Sequence, residues 1–195
     1  MRNMASLLAS TLNTRPLPTG SLRYVRSDVP LSLTPAEIQW LLEHHITTLV
    51  DLRSEAEVRK APCPLAANPS FFYHHLPVTG GGDTPASREE LLRVYRNMVD
   101  EQMERILQVL LNAPDNAMYF CAAGKDRTGV VSALLLRRLG YCESVIVDDY
   151  MQSAENLLPM LKAYVQQHPE VDLDIIVPQP ENILNVLNFF QTSES

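Results

Sequence analysis

Cysteine is scarce in this chain. Three residues in 195, Cys63, Cys121 and Cys142, are too few and too irregularly spaced for a disulfide framework or a zinc site. The scarcity fits a reducing compartment, and a cytoplasmic location is the expectation. Positive charge is also in deficit: 16 Lys and Arg against 23 Asp and Glu leave a formal charge of -7. That excludes a protein whose main work is wrapping nucleic acid or anionic membrane, though a local basic pocket for a small anion remains open. No apolar run reaches the length of a membrane span, so no stable membrane insertion is expected. Internal repeats and low-complexity tracts are absent. The opening stretch "MRNMASLLASTLNTRPLP" has neither a proper h-region nor a clear cleavage site and reads as an N-terminal arm over residues 1–20. The histidine pairs His44–His45 and His74–His75 are adjacent rather than one helical turn apart, so no metal site and no cofactor is expected.

What remains is ordinary globular composition, 46% hydrophobic and 20% charged, enough for one domain over residues 21–195. "SLRYVRSD" (21–28), "ITTLVDL" (46–52), "FFYHHLPV" (71–78) and "AMYFC" (117–121) read as strands. "LTPAEIQWLLEHH" (33–45) is a signed helix, with Thr34 as N-cap, Pro35 at the first position and Glu37 closing a capping box. Residues 87–113 read as one long helix opened by Ser87 and Glu90. Residues 128–140 are apolar nearly all round and read as a buried helix stopped by Gly140. Two or three further helices fall within 142–167 and 181–192. Strands alternating with helices give the fold class: α/β, a short, mainly parallel central sheet flanked by helices. In such a sheet a site lies beyond the carboxyl ends of the strands, where the loop after Cys121 and the segment Asp51–Arg53 both fall.

That loop, "CAAGKDR", sets a thiol and a guanidinium five residues apart between a buried strand and a helix start. Backbone N–H groups of a tight loop, with the positive end of the following helix, make an oxyanion cradle from Ala122, Ala123, Gly124, Lys125, Asp126, Arg127 and Thr128. Gly124 lets the backbone turn, and Arg127 can grip two oxygens of a phosphate at once. The same donors favour the thiolate of Cys121, and Thr128 is placed to hydrogen-bond its sulfur. Two carboxylates compete for the role of proton donor. Asp126 lies inside the loop and is placed first; Asp83, in the glycine-rich "GGGDTP", suits an acid on a mobile lid or a plain turn residue. Asp51 is read as a holder of Arg53 or of the loop, and Arg53 with Glu57 as a structural ion pair. Lys125 is either a solvated charge or a contact for a second phosphate. Cys63 and Cys142 read as packing residues.

"CAAGKDRTG" resembles the phosphate-binding loop of the cysteine-dependent protein tyrosine phosphatases. In particular it resembles the bacterial group described as tyrosine phosphatases with lipid phosphatase activity, whose loop reads C-x-x-G-K-D-R-T-G. "RYVRSD" (23–28), "TTLVDLRSEAE" (47–57) and "VDDYMQSAENL" (147–157) are similar to that group's flanking motifs in the same order. The resemblance covers residues 20 to 157 and implies a phosphotyrosine-phosphatase-like fold, no metal, a phosphocysteine intermediate, and a phosphorylated protein or a phosphoinositide as substrate. Phe120 stands where the group usually has histidine, which leaves a second reading: a catalytically weak or silent phosphate-binding module of the same fold.

Overall fold

The computed structural model describes residues 6–193. Its sheet is built from strands β1 (Arg15–Pro16), β2 (Tyr24–Asp28), β3 (Ile46–Asp51), β4 (Phe72–His75) and β5 (Asn116–Cys121), in the order β1-β2-β5-β3-β4. All neighbours run parallel except β1, which adds antiparallel to β2. The register sets Asp28 opposite Cys121 and Asp51 opposite Phe120, so the carboxyl ends of the three central strands finish level. The α/β class and the mainly parallel sheet are as the sequence indicates.

Helices α1 (Pro35–Glu43), α2 (Glu55–Lys60), α3 (Arg88–Asn97), α4 (Glu101–Asn112), α5 (Asp126–Arg138), α6 (Glu143–Gln167), α7 (Leu173–Ile176) and α8 (Pro180–Ser193) complete the fold. Alternation along β5 divides the core between its two faces. Tyr119 and Cys121 join Val50, Tyr95, Ile106 and Val130 in the larger cluster, beneath α3 to α6 and α8. Met118 and Phe120 join Leu8, Leu41 and Leu49 in the smaller one, beneath α1.

Four expectations are corrected. The single helix over 87–113 is two, α3 and α4, because Asp100 caps the second by accepting from the Met103 amide at 2.9 Å. At the start of α3, Ser87 accepts from the Glu90 amide, while Glu90 turns to the Ala86 amide rather than closing a box. The helix expected at 128 begins at Asp126, so the polar loop runs directly into its first turn; Gly140, at φ +86, still follows its end. Cys142 is exposed at the start of α6 rather than packed, whereas Cys63 is buried.

The first five residues of the N-terminal arm lie outside the described residues. The rest of it packs on the fold: Leu8 and Leu17 are buried, and so are Thr11, Asn13, Thr14 and Arg15.

Candidate active site

The loop after β5 is held from behind. Ala122 O accepts from the Val29 amide at 3.2 Å, Ala123 O from Asn13 Nδ2 at 3.2 Å, and Gly124 O from Asn13 Nδ2 and Arg26 Nη2, both at 2.9 Å. Gly124 has φ +66, and a Cβ there would lie 2.4 Å from Ser27 O, so the position admits no side chain. Helices α1 to α4 each begin with a side chain accepting from the first-turn amides; α5 has no such cap. Its first N–H groups are left available to an external anion.

Cys121 closes β5 and is buried, in a cleft whose lining also includes Ala122, Ala123, Asp126 and Arg127. Arg127 is held in a fork: Nη1 donates to Glu57 Oε2 at 2.6 Å and Nη2 to Glu57 Oε1 at 2.8 Å. Two of its five N–H donors are thereby used, and Nε, though buried, has no hydrogen-bond partner among the described residues. Bonding to Arg127 holds the Glu57 carboxyl at about 2 against desolvation, assisted by the Ser54 cap. The Thr128 hydroxyl, also buried, makes no hydrogen bond to Cys121 or to any other group among the described residues.

The expected Arg53–Glu57 pair does not form. Arg53 instead grips Asp51 with Nε at 2.9 Å and Nη2 at 2.7 Å, and Tyr73 OH donates to the same carboxylate at 2.8 Å. The cause is local. Arg53 precedes the Ser54 N-cap, so it stands outside α2, while the Ser54–Glu57 capping box turns Glu57 toward the start of α2, within reach of Arg127.

Asp126 is engaged on both oxygens. Oδ1 accepts from Tyr95 OH at 2.5 Å and Oδ2 lies 3.3 Å from Lys125 Nζ. Burial, followed by the Asp126 charge, pushes the Tyr95 phenol well up, so it remains a donor. Tyr95 in turn meets Tyr150 OH at 2.8 Å. Lys125 is not a solvated charge: it is buried, and Nζ donates to Ile176 O in α7 at 2.5 Å.

Asp83 is exposed on the cleft wall, and its carboxylate has no partner among the described residues. Its loop is anchored rather than free at its base. Gly81 sits at φ +72, and a Cβ there would lie 3.1 Å from Arg127 Cγ. Across the mouth, Thr84 Oγ1 meets Tyr164 OH at 3.1 Å. Met160, Leu161 and Ile176 make the opposite wall apolar.

Phe120 is buried in the α1-side core, on the other face of β5 from Cys121, and its carbonyl accepts from the Leu52 amide at 2.8 Å. Sequence reasoning missed Asn13, Arg15, Arg26, Asp149 and Tyr95 as neighbours of the loop or its anchors, and it placed Glu57 near the site but on Arg53 rather than Arg127. Arg26 and Asp149 lie in two of the flanking motifs, which was the available signal.

Residues 11–192 match the model of the tyrosine phosphatase family. Among curated proteins, the chain is 30% identical over 135 residues to a tyrosine-protein phosphatase of Nostoc commune, covering 64% of this chain and 46% of that one. It is 39% identical over 72 residues to the triple specificity protein phosphatase PtpB of Mycobacterium tuberculosis, covering 37% of this chain and 25% of that one. The chain spans about half the length, or less, of these relatives. Among solved structures, Tk-PTP aligns with a TM-score of 0.48 at 15% identity, over 93% of this chain and 97% of its own.

Proposed function

Because the chain belongs to the tyrosine phosphatase family, we propose that it hydrolyses phosphomonoesters through a phosphocysteine intermediate, with aryl phosphates such as phosphotyrosine as its preferred substrates. One observation carries the reading. A buried thiol shares its cleft with Arg127, whose Nε has no hydrogen-bond partner among the described residues, and with the uncapped first turn of α5. Such donors are costly to bury unless something charged uses them.

In the first step, Cys121 Sγ attacks phosphorus in line with the leaving oxygen, forming the S–P bond as the ester P–O bond breaks. Arg127 and the loop amides hold the equatorial oxygens. The leaving oxygen takes a proton from Asp83. Asp126 was the sequence's first candidate for that role, but with an oxygen on Tyr95 and another near Lys125 it is suited to fixing the loop instead. Asp83 has no partner among the described residues and lines the cleft. In the second step, water attacks phosphorus, the S–P bond breaks, and Asp83 accepts the water proton.

The cleft supports one substrate class over the other. Lys125 is committed to Ile176 O and Asp126, while Glu57, Asp83 and Asp126 add negative charge around the cradle. Among the described residues lining the cleft a second phosphate would meet no free cation, whereas an aromatic ring would meet Met160, Leu161 and Ile176. A monophosphate on an aromatic body fits better than a polyphosphorylated inositide.

The test is hydrolysis of an aryl phosphate with chelator present. Turnover should persist in the chelator and disappear in Cys121→Ser, which should still bind inorganic phosphate. Retained turnover in the serine variant overturns the mechanism. Phosphate binding with no turnover in the unaltered protein would give the silent binding module, the reading that Phe120 favours.

A further inference from the structure

Behind the cradle lies a charged cluster that takes no part in the chemistry described so far. Arg15 and Arg26 are buried with one carboxylate, Asp149, also buried. Arg26 Nη1 donates to Asp149 Oδ2 at 2.5 Å; Arg15 Nη2 donates to Asp149 O at 2.8 Å, and its Nε lies 3.6 Å from Asp149 Oδ1. Tyr119 is the remaining ionisable group acting on Arg15, and burial pushes its phenol up, so it is neutral. Two guanidiniums against one carboxylate leave a surplus of one positive charge among these three groups, the partly buried Asp28 carboxylate being held separately by the Leu12 and Asn13 amides, and among the described residues both Nε groups lack hydrogen-bond partners. Burial and the like charge of Arg26 push Arg15 down to about 9, with Asp149 pulling the other way.

The cluster touches the loop at one kind of atom, the carbonyl oxygen. A trans peptide sets its C=O and N–H on opposite sides. The peptide whose oxygen is Gly124 O, held by Arg26 and Asn13, is the peptide whose N–H belongs to Lys125. The peptide whose oxygen is Ala123 O, held by Asn13, carries the Gly124 N–H. Neither N–H donates to protein among the described residues. Fixing the oxygens outward therefore fixes the amides inward, and a donor on the oxygen polarises the amide across the same plane.

We propose that Asn13, Arg15, Arg26 and Asp149 are positioning residues that set the affinity of the loop for an anion. Asn13 and Arg26 turn and polarise its peptides, and the buried surplus charge, kept by Arg15, supports the phosphate on the opposite side. The inference rests on the phosphate-cradle reading of the loop. It assigns work to a segment, residues 13–15, that the sequence presents as part of an arm.

The experiment is calorimetric titration of inorganic phosphate into the full chain, with circular dichroism and thermal unfolding of each variant. Arg15→Gln removes the surplus charge and should weaken phosphate binding about tenfold, the effect of a unit charge roughly 10 Å away at an effective dielectric of about 20. Arg15→Lys keeps the charge and should bind within about threefold of the unaltered protein. Asn13→Ser removes the carbonyl donor without changing charge and should cost about fivefold. Glutamine and lysine both keep a donor for Asn13 Oδ1, the partner of Arg15 Nη1, so the two variants differ chiefly in charge. Glutamine and lysine variants that weaken equally overturn the charge component, and Arg15→Gln and Asn13→Ser binding within twofold of normal overturn the inference entirely. If Arg15→Gln does not fold, Asn13→Ser decides alone. Failure of the unaltered protein to bind phosphate is a different result, and it overturns the cradle reading itself.

Discussion

Asp83 and Asp126 differ in what they touch, and that difference is measurable. Asp83→Asn should slow aryl phosphates with poor leaving groups by about 10²–10⁴-fold and recover on good ones, which need no proton. Asp126→Asn should lose a similar factor on all of them, because it disturbs the loop held by Tyr95 and Lys125. The reverse pattern returns the acid to Asp126. Glu57 supplies a second residue-scale test. Its folded value of about 2 is depressed from the usual carboxylate value, so the stabilisation it provides is complete above about pH 4.5 and is lost as pH falls toward 2. The difference in Tm between the unaltered protein and Glu57→Gln should be largest near neutrality and shrink over that interval; a constant difference would show that the Glu57–Arg127 pair contributes nothing through charge. At this scale the sequence was legible where chemistry is contiguous. Cys121 to Thr128 could be read as one unit because eight neighbouring residues carry it. Glu57 was assigned the wrong arginine because spacing of four suggests a helical pair, and only the Ser54 cap reveals that Arg53 stands outside the helix. Asn13 bonds Gly124 across 111 positions, and no local pattern encodes that.

Among the elements, the split between α3 and α4 shows how a cap overrides periodicity. Leu91, Tyr95, Met98, Ile106 and Leu110 are all buried as one continuous helical stripe would require, so the apolar pattern gave no sign of the break. The sign was Asp100, whose side chain competes for the amide of Met103. Asp100→Ala should lower stability by about 1 kcal/mol in urea unfolding with the m-value unchanged, and Asp100→Asn should restore most of it. If alanine costs nothing, the break is imposed by packing rather than by the cap. Helix α5 is the opposite case. It has no side-chain cap, and its first turn continues the phosphate loop, so its start could not be read from a capping residue.

For the whole molecule, a parallel sheet whose central strands end level gathers distant sequence at one rim: Asp28, Asp51 and Cys121 come from three strands. The four parallel strands and the longer helices were legible because β-branched runs and helical stripes alternate along the chain, whereas the two-residue β1, inside the expected arm, and the short α2 and α7 were not. The closure of the site was not, since it depends on the loop carrying Asp83 meeting the far end of α6.

That meeting is bridged, among the described residues, by one side-chain hydrogen bond between two exposed residues, Thr84 and Tyr164. If the site acts on phosphomonoesters as proposed, its expected consequence is kinetic sorting by girth. A slender aryl phosphate can slip beneath the bridge, while a phosphorylated loop on a folded protein must first part it. One hydrogen bond between exposed hydroxyls is worth about 0.5–1.5 kcal/mol, so the toll on bulky substrates is at most about tenfold. Tyr164→Phe should raise kcat/KM for a phosphoprotein by up to that factor and leave p-nitrophenyl phosphate unchanged. An equal change in both would mean that the mouth does no sorting. Discrimination of this kind would reside in the approach of the substrate and leave no trace in the chemical step, so two substrates with identical ester chemistry would be told apart by width alone.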